Sequence, residues 1–256
     1  MTLENTLNLS LPAAALAIVV VFVASYARGY SGFGFSAILM AGLLPVIPSA
    51  QLVPISILLE ILASASQAPR ILQDIDRRLL GCLLGTTLVG APLGVFLLTW
   101  FPENILRLLV YGTILFSASV FLISRARPMT ISVYKFFIAG FTAGVVNGAT
   151  ALSGLVLALF FTSSTIGSRT MRATMIAYLF FTDIITGGAL VWSGHVDMQV
   201  LWRGAAAVPV MLAGITLGSM HFFKTPAANF KVRVMWLLLA LCLVGIIQMA
   251  MIGYRV

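Results

Sequence analysis

Ten apolar runs, joined by short connections, fill this chain from Leu11 to Gly253. They are Leu11–Ala27, Phe35–Val46, Leu52–Ala68, Leu79–Trp100, Asn104–Ser124, Phe136–Val146, Leu155–Thr162, Ala173–Trp192, Val200–Phe223 and Val232–Gly253. A helix that crosses a bilayer needs about 20 such residues. The runs are continuous and do not alternate with period two, which predicts helices and not the strands of a barrel. Hydrophobic residues make up 61% of the chain and Asp, Glu, Lys and Arg only 9%. Soluble domains have about 45–50% and about 25%. The expectation is an all-α polytopic membrane protein, with residues 1–256 forming one transmembrane domain and none left over for a soluble one. Residues Met1 to Ser10 carry Glu4 and no Lys or Arg, so the positive region of an ordinary signal peptide is missing.

The net charge of +8 does not point to nucleic acid, because the basic residues sit in loops between membrane runs. Arg70, Arg77 and Arg78, then Arg125, Arg127 and Lys135, then Arg169 and Arg172, then Lys224, Lys231 and Arg233 occupy four alternate loops. These are eleven of the fifteen basic residues. The positive-inside rule places such loops in the cytoplasm, which puts both termini outside it. Trp100, Trp192, Trp202 and Trp236 fall near run ends and read as an interfacial aromatic belt. Cys82 and Cys242 lie in apolar runs without a CxxC spacing and read as packing residues.

The two halves of the chain resemble each other. Glycine-rich breaks around Gly32/Gly34 and Gly148/Gly154 stand about 120 residues apart, and each is followed by a short apolar run. A span with one carboxylate comes next, Glu60 in the first half and Asp183 in the second. In this alignment the two carboxylates match to within about half a helical turn. Asp76 and Asp197 then precede glycine-rich helices, 121 residues apart, and read as N-caps. The charge rule puts the Asp76 loop inside and the Asp197 loop outside, so residues 11–124 and 136–253 read as inverted repeats. Each would hold a glycine-broken or re-entrant helix pair and three spanning helices, about 8–10 membrane segments in all. Matched interruptions in inverted halves point to a transporter site near the midplane.

This duplicated pattern resembles the sulfite exporter TauE/SafE-like permeases, also called the toluenesulfonate uptake permease family, over roughly Leu16 to Gln248. The family's break commonly reads glycine-x-glycine-glycine-glycine with a proline a few residues on. Here it is Gly32-Phe33-Gly34 with Pro45, and the second half has Ser153-Gly154 without a triple glycine. The resemblance implies a bacterial inner-membrane permease and, as substrate, sulfite, a sulfonate such as sulfoacetate, or a small carboxylate.

Helix N-termini at a break offer unpaired N–H groups and positive dipole ends to an anion. The candidate binding residues are Arg28, Ser31, Gly32, Gly34 and Ser36 at the first break. At the second they are Asn147, Gly148, Thr150, Ser153 and Gly154. The alternative for the glycines is close helix packing. Arg28 can fork two oxygens of one anion. It would lie near the midplane if the first pair is re-entrant and at the cytoplasmic surface if that pair crosses fully. A carboxylate in hydrocarbon is stable only when neutral or paired, so Asp183 and Glu60 are the candidate proton carriers; the alternative is a buried anchor between helices. His195 reads as a solvated loop residue and His221 as an interface anchor. Glu103 and Arg107 read as an i,i+4 surface pair.

The reading is a secondary transporter of small anions, coupled to protons and working by alternating access. No P-loop, HExxH or GxSxG motif is present, which argues against an ATP-driven pump and against an enzyme. An anion channel is the alternative. A thiol-disulfide electron carrier is less favoured, because Cys82 and Cys242 occupy non-matching runs. No cofactor or nucleic-acid partner is expected; the bilayer, protons and the anion are, and a homodimer is compatible with the reading. Cysteines placed in the Arg125–Lys135 loop should resist an impermeant label applied from outside the cell. Labelling there would invert the topology.

Overall fold

The computed structural model describes residues 10–123, 133–162 and 166–222, together with positions 236, 239 and 243. Cys242, most of the last apolar run and the basic residues Arg125, Arg127, Lys224, Lys231 and Arg233 lie outside the described residues. The described secondary structure is helical: α1 Leu11–Ser31, α2 Phe35–Leu43, α3 Ser49–Gln67, α4 Arg77–Trp100, α5 Glu103–Ile123, α6 Val133–Thr150, α7 Ser153–Thr162, α8 Ser168–Trp192 and α9 Met198–Phe222. Two short 3₁₀ turns, Ala68–Arg70 and Leu72–Asp74, join α3 to α4. Among the described residues, α1, α3, α4, α5, α8 and α9 are long and apolar enough to cross a membrane. The nine residues of α2 and the ten of α7 reach only about 15 Å at 1.5 Å per residue, half of a hydrocarbon core.

The breaks are narrower than the sequence suggests. Helix α1 continues through Arg28 and ends at Gly32, whose φ of +83° closes it; Gly34, at +90°, begins α2. Glycine is needed at both, because a side chain strains that left-handed backbone. In the second half α6 runs to Thr150, so the expected interruption at Gly148 is not one. The turn is made by Ala151 at φ +59°, the one non-glycine residue with positive φ among those described. Asp76 caps α4 by accepting from the Leu79 N–H at 3.0 Å. Asp197 accepts from the Val200 N–H at 2.7 Å. Both loop aspartates therefore do what their position predicts.

Each half's long helices lie on those of the other half. The most extensive pair is α4 with α6, followed by α1 with α9; then come α4 with α8, α3 with α8, and α3 with α9. Glycines set the first two seams. A Cβ on Gly94, Gly140 or Gly148 would strike the backbone of the facing helix in the α4–α6 seam. Gly29, Gly214 and Gly218 do the same between α1 and α9. Lipid tails are as apolar as leucine, so close backbone approach supplies the van der Waals contact that holds membrane helices together. Trp192 is 94% exposed and Trp100 71%, as residues of an interfacial belt are.

Gly94→Val should destabilise the detergent-solubilised protein by about 1–3 kcal/mol through overpacking. Gly112→Val, where a Cβ meets nothing within 4 Å, should leave the thermal midpoint nearly unchanged.

Candidate functional site

Arg28 lies in the last turn of α1 with 0% of its surface exposed. A guanidinium so placed has to find its partners inside the protein. The backbone turn at Gly32 brings that residue's carbonyl within reach, and Arg28 Nη1 donates to it at 2.5 Å. Nη2 donates to Ser64 Oγ at 2.7 Å and lies 4.0 Å from Glu60 Oε2, both on α3. Glu60 Oε1 in turn accepts the Ser36 N–H at 3.2 Å and the Ser36 hydroxyl at 2.5 Å. Ser36 stands in the first turn of α2, so the positive end of that short helix faces a carboxylate.

The second half repeats the construction with different side chains. Asn147, in the last turn of α6, donates from Nδ2 to Asp183 Oδ1 at 2.9 Å and to Thr186 Oγ1 at 3.0 Å. Its Oδ1 accepts the Ser153 hydroxyl at 2.7 Å. Ser153 opens α7 much as Ser36 stands at the opening of α2. Each unit thus has a polar residue before the break, a serine after it and a carboxyl on the following long helix.

The two units meet. Gly154 faces Phe33, with 3.6 Å from the place of a Cβ to the phenylalanine Cβ, so the two breaks pack on each other. The Glu60 and Asp183 carboxyls are near enough to act on one another electrostatically, and the charge of Arg28 acts on Asp183 as well. Glu60 Oε2 and Asp183 Oδ2 each lack a donor, and Arg28 Nε lacks an acceptor. Among the described residues, the centre of the bundle therefore holds the Arg28 guanidinium with an unused N–H and two neighbouring carboxyl groups.

Not every expected residue joins this cluster. The Ser31 hydroxyl donates to the carbonyls of Ala27 and Phe33 at 2.8 and 2.7 Å, bracing the break. The Thr150 hydroxyl returns to the Val146 carbonyl of its own helix at 2.7 Å, and Gly148 serves the α4–α6 seam. Arg172, read from the sequence as a loop charge, reaches inward instead. Its Nη2 donates to the Gly29 carbonyl at 2.8 Å and to Gln67 Oε1 at 3.2 Å, and its stem lies against Gly32. In sequence it directly precedes the Ala173–Trp192 run, and only the helix start at Ser168 places it inside the span. Glu103 is more than half of a surface pair: besides Arg107 Nε at 2.8 Å it accepts the Ser49 N–H at 2.9 Å and caps the start of α3. His221 Nδ1 meets Tyr26 Oη at 2.5 Å, anchoring α9 to α1. Among the described residues no three His, Cys, Asp or Glu side chains converge to hold a metal.

The family described as sulfite exporter TauE/SafE matches residues 17–245. A protein of Cupriavidus necator named "Probable sulfite/organosulfonate exporter TauE" is 27% identical over 206 residues, covering 76% of this chain and 78% of that protein. No solved structure matches the chain. Since the family match contains both breaks and every residue of the central cluster, the chain belongs to the sulfite exporter TauE/SafE family of membrane transporters.

Proposed function

We propose that this protein is a secondary transporter of a small anion, sulfite or an organosulfonate, working by alternating access and coupled to protons. Arg28 and the two breaks form the anion site; Asp183 and Glu60 carry the proton. The observation that carries this reading is the buried guanidinium with a free Nε–H where the two breaks meet. Glu60 holds the place a substrate would take, beside Arg28 and at the α2 N-terminus. An entering anion competes with Glu60 for both. The name of the Cupriavidus necator relative supports the choice of anion.

The inverted arrangement of residues 11–124 and 136–253 belongs to the same proposal, and the chain directions support it. Asp76 at the start of α4 meets Thr174 near the start of α8 at 3.0 Å. Arg172, also near that start, meets Gln67 at the end of α3 and Gly29 near the end of α1. Gly140 and Gly148 face Leu83 and Val95, so α4 and α6 run the same way. Gly214 and Gly218 face Phe22 and Tyr26, so α1 and α9 do too. The first and third helices of one half thus oppose those of the other. Arg77, Arg78, Arg169 and Arg172 share one end of the bundle, which the charge rule places in the cytoplasm.

Arg28→Gln should weaken sulfite binding about 10–100-fold in calorimetry, the worth of one or two charge-assisted hydrogen bonds. Unchanged affinity would move the site elsewhere. Gly34→Leu and Gly154→Leu should each abolish uptake in proteoliposomes while leaving membrane insertion intact, and normal uptake in both would remove the breaks from the mechanism. Asp183→Asn should still exchange substrate but lose its response to an imposed pH gradient; a response like the parent's would leave Asp183 a structural anchor.

A further inference from the structure

Glycines bring α1 and α9 into backbone contact from Phe22 to Tyr30 of α1. Toward the starts of the same two helices the small residues are alanines, Ala14 and Ala15 on α1 with Ala206 and Ala207 on α9, and these line a cavity of about 420 Å³. That is the size of a ligand pocket, about 300–1,000 Å³. Leu39 of α2 and Leu59 of α3 belong to its lining as well. Ile18 lines it too and is 57% exposed. It lies about 10 Å along α1 from Leu11 at 1.5 Å per residue, so the cavity opens sideways at the depth of hydrocarbon. Among the described residues that line it, Arg203 has the only polar side chain. Such walls offer a small hydrated anion nothing, which separates this cavity from the anion site. An apolar void stays dry and leaves its wall atoms without van der Waals partners. In a bilayer the neighbour that can fill it is a hydrocarbon chain.

We propose that this cavity binds an anionic phospholipid, with one acyl chain between α1, α2, α3 and α9 and the phosphate on Arg203. The position of Arg203 fits a head group. It follows Trp202, which is 54% exposed, in the second turn of α9. Trp100 and Trp192 end α4 and α8 at the same end of the bundle, so the guanidinium stands at the level of the aromatic belt, where head groups lie. Its Nη1 donates to Gln51 Oε1 at 2.6 Å, and Gln51 Nε2 donates to Gln199 Oε1 at 3.4 Å. Neutral amides therefore steady the arginine at the mouth. The acid that acts on it, Asp197, is committed as the cap of α9. A guanidinium pairs with phosphate through charge-assisted hydrogen bonds. A head group with its own ammonium would bring a second cation to Arg203, which favours an anionic lipid over a zwitterionic one. The chain would lie between three helices of the first half and one of the second, continuing the packing that Gly214 and Gly218 begin.

The test adds dioleoyl phosphatidylglycerol or dioleoyl phosphatidylethanolamine to the full chain in detergent and reads retained lipid by native mass spectrometry. The parent should hold one phosphatidylglycerol per chain about 10-fold more tightly than phosphatidylethanolamine, the worth of a charge-assisted hydrogen bond. Arg203→Gln should erase that preference. Arg107→Gln, which changes a basic residue at the same end but outside the cavity, should keep it. Ala207→Phe fills the cavity from α9 and should lose the tightly held lipid of either kind. Circular dichroism checks that each variant folds. A second measurement needs no variant: phosphatidylglycerol with a diazirine in its acyl chain should label Leu39 and Leu59 in the parent, both buried and reached only from within the cavity. Labelling confined to outward residues such as Phe116 and Phe181 would overturn the site. So would a parent that retains no lipid, the result expected if another part of the chain covers the cavity, or retention unchanged in Ala207→Phe. Equal retention of the two lipids, or a preference that survives Arg203→Gln, would overturn the role of Arg203. Decanesulfonate held more tightly than phosphatidylglycerol would make the cavity a substrate route and overturn the lipid assignment.

Discussion

A guanidinium sealed inside a membrane bundle has to be neutralised where it sits, and that requirement organises the structure. Hydrocarbon offers Arg28 neither water nor counterion. Its partners are therefore three groups from two elements: the carbonyl exposed by the left-handed turn at Gly32, and the Ser64 hydroxyl and Glu60 carboxylate of α3. Each of these depends on something further. The carbonyl is available because the helix stops there, Glu60 is steadied by the first turn of α2, and α2 is short because Pro45 and Pro48 follow it. Removing the arginine would leave two neighbouring buried carboxyl groups without their cation.

The second half solves the same problem with neutral groups. Asn147 stands where the first half has Arg28, and it donates to Asp183 as the arginine faces Glu60. The asymmetry matters physically. Two arginines would overcharge a site with two carboxyls, and two asparagines would offer an anion no cation. One of each leaves a centre with a single guanidinium beside two carboxyl groups. The glycine seams of α4 with α6 and of α1 with α9 bring the two units to this meeting point.

Much of this was legible in the sequence, and the limits have physical causes. The apolar runs locate the helices to within a few residues, because membrane burial demands continuous apolar length. Asp76 and Asp197 were readable as caps from their position alone. The breaks were found but drawn too wide: glycine content marks where a helix can stop, whereas the backbone stops only at Gly32, Gly34 and Ala151. Gly148 illustrates the ambiguity, since a glycine that admits a neighbouring helix looks the same in sequence as one that ends its own. The closeness of Glu60 and Asp183 was not readable. The alignment left them half a turn apart, and only the crossing of α3 and α8 decides which faces meet. Arg172 was missed because it directly precedes its apolar run, where a charge ordinarily turns outward, and here the Gln67 side chain and the Gly29 carbonyl draw it in.

The central claim, that an oxyanion is held by Arg28 where the two breaks meet, is tested most directly by locating the anion. Selenite has the shape and charge of sulfite and carries an anomalous scatterer, so crystals grown with it report its position without reference to activity. The account places the selenium peak within hydrogen-bonding distance of the Arg28 guanidinium, between Gly34 and Gly154, with Glu60 displaced from its present contact. A peak remote from both breaks, with the cluster of Arg28, Glu60 and Asp183 unchanged, would contradict it.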